Sequence, residues 1–370
     1  MKTSDSSETV QARAFILCMA LCLLITPHLI VPDVIHISSL PKLVSIIGFN
    51  LLGLFALAVS LLLSPGQKNI KLIFCYNRSS LIIASVFAIY VLYTLTSLAW
   101  TVNQQLAIEN LVKHTAGYFP LLLLGFLKIE RREILLLMKC LSIGAASCAF
   151  IGLFQWLTGQ VPDFVRIAPT WSFLNKNFTA SYCCMALFPS LALWVLYGGT
   201  RSKWIWLLVT LLNSLLVFHS FARASWLGLA VGGVVFLALI VLAFSTSRFI
   251  SAIKARYPEM LVFIGLFLLG TFINESRFEG RFSDFGQRIA DTADISLDPD
   301  SSEPGDLDPG FTNSLAGKGS FAGRLLYWQN ILVMIKNEFP LGVGEGNFQV
   351  HYPRYDSSVN PTNFNTKFKY

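Results

Sequence analysis

The chain has 370 residues, of which 54% are hydrophobic and 13% charged. An ordinary soluble domain is about 25% charged, so this composition excludes one, and recurrent apolar runs of membrane length point to an all-α polytopic membrane protein. The runs lack period-two alternation, which excludes an outer-membrane barrel, and the net charge of +7 follows the distribution of cations among loops and does not mark a nucleic-acid binder.

Nine spans are predicted, at residues 14–31, 43–63, 80–100, 111–127, 134–157, 178–198, 204–219, 225–246 and 259–273. The first has the look of a secretory leader, but no small-residue cleavage site follows it and eight further spans do, so it is read as a helix. With the N-terminus inside, the inner loops hold Lys68, Lys71, Arg78, Lys128, Arg131, Arg132, Arg201, Lys203, Arg248, Lys254 and Arg256. The outer loops hold only Lys42, Arg166, Lys176 and Arg223. Cytoplasmic loops are the cation-rich ones, so residues 1–273 are expected to form a membrane domain and residues 274–370 an external segment. Of the seven cysteines, six lie in spans and Cys75 in an inner loop. The outer segment therefore has no disulfide framework, no spacing suits zinc, and neither metal nor cofactor is expected.

Along the chain, Glu109, Lys113 and His114 gather at the start of the fourth span and read as an ion-pair network or, alternatively, a substrate contact. Gln155 reads as an interhelical hydrogen bond. The loop at 158–177 is rich in turn formers and ends in Asn175-Lys176-Asn177. The two asparagines suit either sugar and diphosphate oxygens or the cap of the sixth span, and Lys176 adds charge beside them.

Next comes His219-Ser220-Phe221-Ala222-Arg223, between two apolar runs. A charge at the edge of hydrocarbon is costly and is usually kept for function, although an interfacial arginine can also merely snorkel to the headgroups. His219, at a helix end, reads as structural.

The external segment divides into three. Residues 274–290 carry Phe278, Phe282, Phe285 and Ile289 at helical spacing, which suits a helix on a membrane surface or one packed on the rest of the segment. Residues 291–310 hold seven carboxylates and three prolines and read as a solvated loop. Asp298-Pro299-Asp300 within it imitates a nucleotide-sugar metal motif, but acids surround it on every side. Residues 321–336 carry Phe321, Leu325, Trp328, Leu332 and Ile335 as a helical stripe, with Arg324 one turn before Trp328, and Pro340 stops the helix. Gly342, Gly344 and Gly346 then alternate. The Lys-Ser/Thr end of a phosphate loop is missing, so tight backbone packing or a flexible turn is the reading.

Taken together, these residues resemble the O-antigen ligase and O-antigen polymerase superfamily of bacterial membrane glycosyltransferases. The resemblance rests on Leu98-Ala99-Trp100-Thr101, Gly152-Leu153-Phe154-Gln155, Phe173 to Ala180, Ser220-Phe221-Ala222-Arg223, Gly323-Arg324, Trp328, Pro340, Gly342, Gly344 and Asn347-Phe348. It implies that Arg223 and Arg324 bind one diphosphate from the membrane side and from the external segment, and that Asn175, Lys176 and Asn177 contact the glycan or donor. Ser220, Trp328 and Gly344 support them. The implied partners are an undecaprenyl-diphosphate-linked glycan, a lipid A–core acceptor and membrane lipids, with no metal, at the bacterial inner membrane. Guanidinium groups suit this work because they bind phosphate oxygens in bidentate fashion and can stabilise the growing negative charge of the leaving group.

The family also carries a histidine-containing motif that would fall at or just beyond Tyr370, followed by closing spans. On that reading the chain is C-terminally truncated, its catalytic residue is unassigned, and His351 is the histidine of the external segment that stands as candidate base. Alternatives to a ligase are a glycan polymerase, a protein O-oligosaccharyltransferase, an inactive truncated ligase and a transporter. A transporter would show paired Gly/Pro interruptions near the midplane, and the glycines here form no such repeat.

Overall fold

A computed structural model of the chain describes residues 5–32, 38–62, 78–127, 129–160, 169–197, 202–243, 251, 254–272 and 320–355. The helices are α1 (Asp5–Ile25), α2 (Ser39–Leu62), α3 (Arg78–Ser97), α4 (Gln104–Phe126), α5 (Arg131–Thr158), α6 (Lys176–Ala192), α7 (Ser202–His219), α8 (Arg223–Ala243), α9 (Tyr257–Phe272), α10 (Ser320–Glu338) and α11 (Phe348–His351). No strand occurs among the described residues.

Among the described residues, six helices are long and apolar enough to cross a membrane: α2, α3, α5, α6 (continued to Val195), α7 and α8. Nine spans were predicted, and a helix stands at each predicted position. α1 and α9, however, contribute only shorter apolar stretches, Arg13–His28 and Tyr257–Phe272. α4 is outside the six because Asn110, Lys113 and His114 occupy its first half. The proposed surface helix at 274–290, the acidic loop and Asp298-Pro299-Asp300 lie outside the described residues.

The chain divides into two compact units, Met1–Ile82 with Ala116–Ile273, and Ile83–Thr115 with Asn274–Tyr370. The second unit therefore includes the end of α3 and the start of α4 as well as the C-terminal segment.

In the first unit, α1 packs on α2 and α5, α5 on α6 and α7, α6 on α8, and α7 on α9. The centre is built from small side chains: Ala145, Ala149, Cys183 and Ala186 are buried against Leu216 and Val217. Small residues let helix backbones approach where lipid supplies no hydrophobic drive between helices. Gly144 shows the limit, since a Cβ there would stand 2.7 Å from the Leu23 carbonyl oxygen. Many large apolar side chains point the other way. Phe55 is 67% exposed and Leu242 84%, with Phe150 and Leu269 also exposed. An apolar exterior over small, partly polar interfaces suits a bilayer as solvent.

The spans end as local chemistry dictates. Glu130 and Glu133 form a capping box at the start of α5, which satisfies orphan amides reciprocally. Gly159 ends α5 in the left-handed conformation at φ +69°. α6 carries Pro189 inside it and passes into a π-helical turn, Leu193–Tyr197. Loss of the proline N–H loosens the regular ladder there. Charge ties this unit at two places: Arg13 pairs with Glu133 at 3.5 Å, and Lys203 pairs with buried Glu259 between α7 and α9.

Candidate functional site

The first unit holds two polar constructions at helix ends. One is the turn between α7 and α8. Ser220 is buried; its Oγ–H donates to the Val217 carbonyl (2.8 Å) and its Oγ accepts the Ala222 N–H (3.1 Å). Phe221 adopts φ +51°, which is uncommon for a bulky side chain. Trp226 Nε1–H donates to the same Val217 carbonyl at 3.1 Å. His219 Nε2–H donates to the Gly270 carbonyl at 3.0 Å, and its ring lies 4.2 Å from that of Trp156. His219 is therefore structural, as read from sequence. These bonds place Arg223 as the first residue of α8, exposed, where the helix presents its amide-rich end.

The other construction carries Asn175, Lys176 and Asn177. Asn175 is the N-cap of α6: its Oδ1 accepts the Asn177 N–H at 2.9 Å. Lys176 begins the helix, and Asn177 is exposed in its first turn. The segment before them is held from three directions. Trp171 N–H donates to Gln155 Oε1 (3.3 Å), and Trp171 Nε1–H to His28 Nδ1 (3.1 Å). Ser172 Oγ–H donates to the Pro27 carbonyl. Gln155 thus bonds a loop backbone and not a neighbouring helix, contrary to the expectation.

Sequence reasoning passed over Lys42 and His28. The Lys42 ammonium donates to the carbonyls of Leu29 (3.0 Å) and Ser172 (2.7 Å) and to Ser38 Oγ (2.8 Å). It also sits 4.7 Å above the Phe173 ring. Three donors meet three neutral oxygens, so this lysine works as a staple for the 171–173 turn. His28 accepts from Trp171 at Nδ1, so its proton is on Nε2, which donates to Ser147 Oγ at 2.9 Å. The signal that could have found Lys42 was a cation between two apolar runs; nothing local marked His28.

The second unit is organised around the glycine turn. Gly342, Gly344 and Gly346 stand at φ +65°, +84° and +70°. The turn lies on the connection between α3 and α4. Tyr93 Oη–H donates to the Leu341 carbonyl (2.6 Å), and Glu345 N–H to Ser97 Oγ (3.2 Å). A Cβ on Gly344 would collide with Thr101 Oγ1, and one on Gly346 with Asn110 Nδ2. Of the two readings of these glycines, close packing is the one found. Thr101, the last residue of the tryptophan–threonine stretch, is what they pack upon.

Above that turn stand three polar side chains. Tyr90 Oη is 2.5 Å from His114 Nδ1, and Tyr90 Oη–H donates to Glu345 Oε2 at 3.5 Å. His114 Nδ1 lies 3.5 Å from Glu345 Oε1. The predicted trio of Glu109, Lys113 and His114 is thus divided. Glu109 pairs with Lys113 at 3.9 Å, while His114 turns to the distant Glu345.

Arg324 lies in α10, the helix that the apolar stripe predicted. Of the stripe it accompanies, Trp328 is 63% exposed, with Leu332 and Ile335 also exposed, whereas Asn330 and Met334 are buried. His351 is buried beside Glu338, with Nδ1 4.0 Å from Oε1. Glu338 takes the Tyr355 hydroxyl at 2.6 Å, and that hydrogen bond raises the phenol above its usual range. Burial sets His351 apart from a base that meets a substrate hydroxyl. Among the described residues no group of three or more His, Cys, Asp or Glu could hold a metal ion.

An all-helical chain with six membrane-length helices, an apolar exterior and an arginine at the first position of one of those helices defines a polytopic membrane protein with a charged helix terminus. Residues 185–367, just under half of the chain, match the family model described as O-antigen ligase. The match takes in the C-terminal part of α6, from residue 185, all of α7 to α11, Arg223, Arg324 and the glycine turn, and begins after Asn175-Lys176-Asn177. No curated protein and no solved structure matches the chain significantly.

Proposed function

We propose that this protein is a glycosyltransferase of the inner membrane that moves a glycan from undecaprenyl diphosphate to a lipid A–core acceptor. The family match supports a ligase- or polymerase-type reaction on lipid-linked glycan. The observation that carries the site is Arg223 at the first position of α8, held by the bonded turn at Ser220. A guanidinium beside a helix N-terminus offers fixed charge and amide donors to phosphate oxygens. In this reading Arg223 and Arg324 are each diphosphate-binding side chains, and a guanidinium on the diphosphate stabilises it as the glycosidic bond breaks. Asn175, Lys176 and Asn177 contact the glycan or donor, and Trp328 and Gly344 shape the external segment. The N-terminus is cytoplasmic and residues 274–370 are periplasmic.

The test is glycan transfer by Arg223→Ala and Arg324→Ala proteins in a strain deleted for the native gene, with membrane insertion followed in parallel. Each variant is expected to insert normally and to leave glycan on the lipid carrier. Near-normal transfer by either removes that arginine from the site. The acceptor left unmodified in the deletion strain distinguishes a ligase from a polymerase. Cysteine accessibility at positions in 274–370 tests the orientation, which a cytoplasmic result would overturn.

A further inference from the structure

Two of the chain's five histidines lie in the second unit, His114 and His351. They differ in what they can reach. His351 is buried, whereas the His114 side chain is 43% exposed beside a Glu345 that is only 18% exposed. Three elements meet at His114: Tyr90 from α3, His114 from α4, and Glu345 from the glycine turn.

The proton order in this trio follows from the carboxylate, which only accepts. Glu345 Oε2 takes the Tyr90 hydroxyl proton, and Glu345 Oε1 faces His114 Nδ1. With its own proton directed to Glu345, Tyr90 Oη can accept from His114 at 2.5 Å, in the tautomer that carries the ring proton on Nδ1. The neutral imidazole is then basic at Nε2. The backbone holds the carboxylate in place: Glu345 N–H is bonded to Ser97 Oγ, and its neighbour Gly344 is packed on Thr101. A histidine oriented through one nitrogen by a hydroxyl and a carboxylate, with its side chain partly exposed, is built as a general base. Among the described residues, Glu109 and Lys113 on the same helix pair with each other.

We propose that Tyr90, His114 and Glu345 form the proton-accepting site of this protein, with His114 Nε2 removing the proton of the acceptor sugar hydroxyl. The proposal rests on the glycan-transfer reading above. As the acceptor oxygen bonds to the anomeric carbon, the bond from that carbon to the diphosphate oxygen breaks, and the diphosphate leaves with the electron pair. The hydroxyl proton passes to Nε2. The imidazolium so formed is stabilised by Glu345 and returns its proton to the departing diphosphate or to water. His114 is the catalytic residue, and Tyr90 and Glu345 are positioning residues.

The test uses the full chain in proteoliposomes with an undecaprenyl-diphosphate-linked oligosaccharide and a lipid A–core acceptor. His114→Gln is expected to lower the transfer rate by about 10²–10⁴-fold, the range for loss of a general base, with donor binding retained. Transfer by His114→Gln at the wild-type rate, in a preparation where wild-type is active, overturns the proposal and leaves the glycan-transfer reading standing. Wild-type protein that transfers to no hydroxyl acceptor overturns the reading on which the proposal rests. A second measurement needs neither activity nor a variant at position 114. Nitrogen-15 spectra of labelled histidine should give the neutral His114 ring as the Nδ1–H tautomer in wild-type, moving toward Nε2–H in Glu345→Gln. An Nε2–H tautomer in wild-type would overturn the proton order and with it the assignment of Nε2 as base.

Discussion

Asn103 and Asn347 clasp one another across 244 positions of sequence: Asn103 N–H donates to Asn347 Oδ1 at 2.8 Å, and Asn347 Nδ2–H donates back to the Asn103 carbonyl at 3.2 Å. Asn347 is fully buried, and its Nδ2 also donates to the Glu345 carbonyl at 2.9 Å. Asn103 Oδ1 meanwhile caps α4 by accepting the Leu106 N–H. Asn347→Ala removes the partner of one backbone amide and two carbonyls, all in part-buried bonds, at about 0.5–1.5 kcal/mol each. The expected outcome is faster amide exchange over 342–351 with little change in the first unit. Unchanged exchange there would show that the clasp adds nothing to the fold.

Gly344 is constrained twice. Its φ of +84° is a conformation that L side chains rarely adopt, and a Cβ would enter the space of Thr101 Oγ1. Gly344→Ala is expected to destabilise the turn by roughly 1–3 kcal/mol, the range for backbone strain of this kind. Thr101→Ser/Gly344→Ala would recover little, because the hydroxyl that obstructs remains. Thr101→Ala/Gly344→Ala, which removes it, should recover part. Limited proteolysis at the turn reads both, and equal cleavage of Gly344→Ala and wild-type contradicts the packing argument.

Lys203 and Glu259 join α7 to α9, with the glutamate side chain 4% exposed and the lysine 23%. Breaking one partner of a buried pair leaves a charge without compensation, at about 3–5 kcal/mol, whereas replacing both with apolar groups can be nearly neutral. Lys203→Met should therefore lower thermal stability in detergent more than Lys203→Met/Glu259→Leu does. A double variant as unstable as the single one would mean that the charge is not what the site balances.

Lys42 is a different case, a cation satisfied by oxygens that carry no charge. Lys42→Met keeps the stem but removes three hydrogen bonds, two of them to carbonyls. The 171–173 turn should loosen, seen as greater labelling of a cysteine placed at Phe173. Because that turn precedes the Asn175 cap, α6 should fray at its first residues. Labelling no faster than in the unmodified background would assign the turn's rigidity to Trp171 and Ser172 alone.

Much of this protein was legible residue by residue. Arg223 at a span boundary, the capping asparagine at 175, the helix before Pro340 and a structural His219 all follow from near neighbours. Hydropathic length, capping and helix stops act within a few residues and leave local marks. Errors arose where a partner came from far away. Gln155 was given to a neighbouring helix and bonds Trp171 N–H. The apolar stripe of Trp328, Leu332 and Ile335 was a sound sign of helix, yet the buried positions are Asn330 and Met334.

By itself the sequence determined helices of membrane length and a likeness, over residues 185–367, to the O-antigen ligase family model, because apolar length and motif order are properties of the chain in one dimension. Only tertiary structure decided that His114 faces Glu345 instead of Lys113's partner Glu109, that Thr101 is the floor for Gly344, and that Lys42 is a staple. Those choices are made by backbone approach and hydrogen-bond satisfaction between segments up to 255 positions apart. No local pattern records which distant polar group will complete a buried donor or carboxylate.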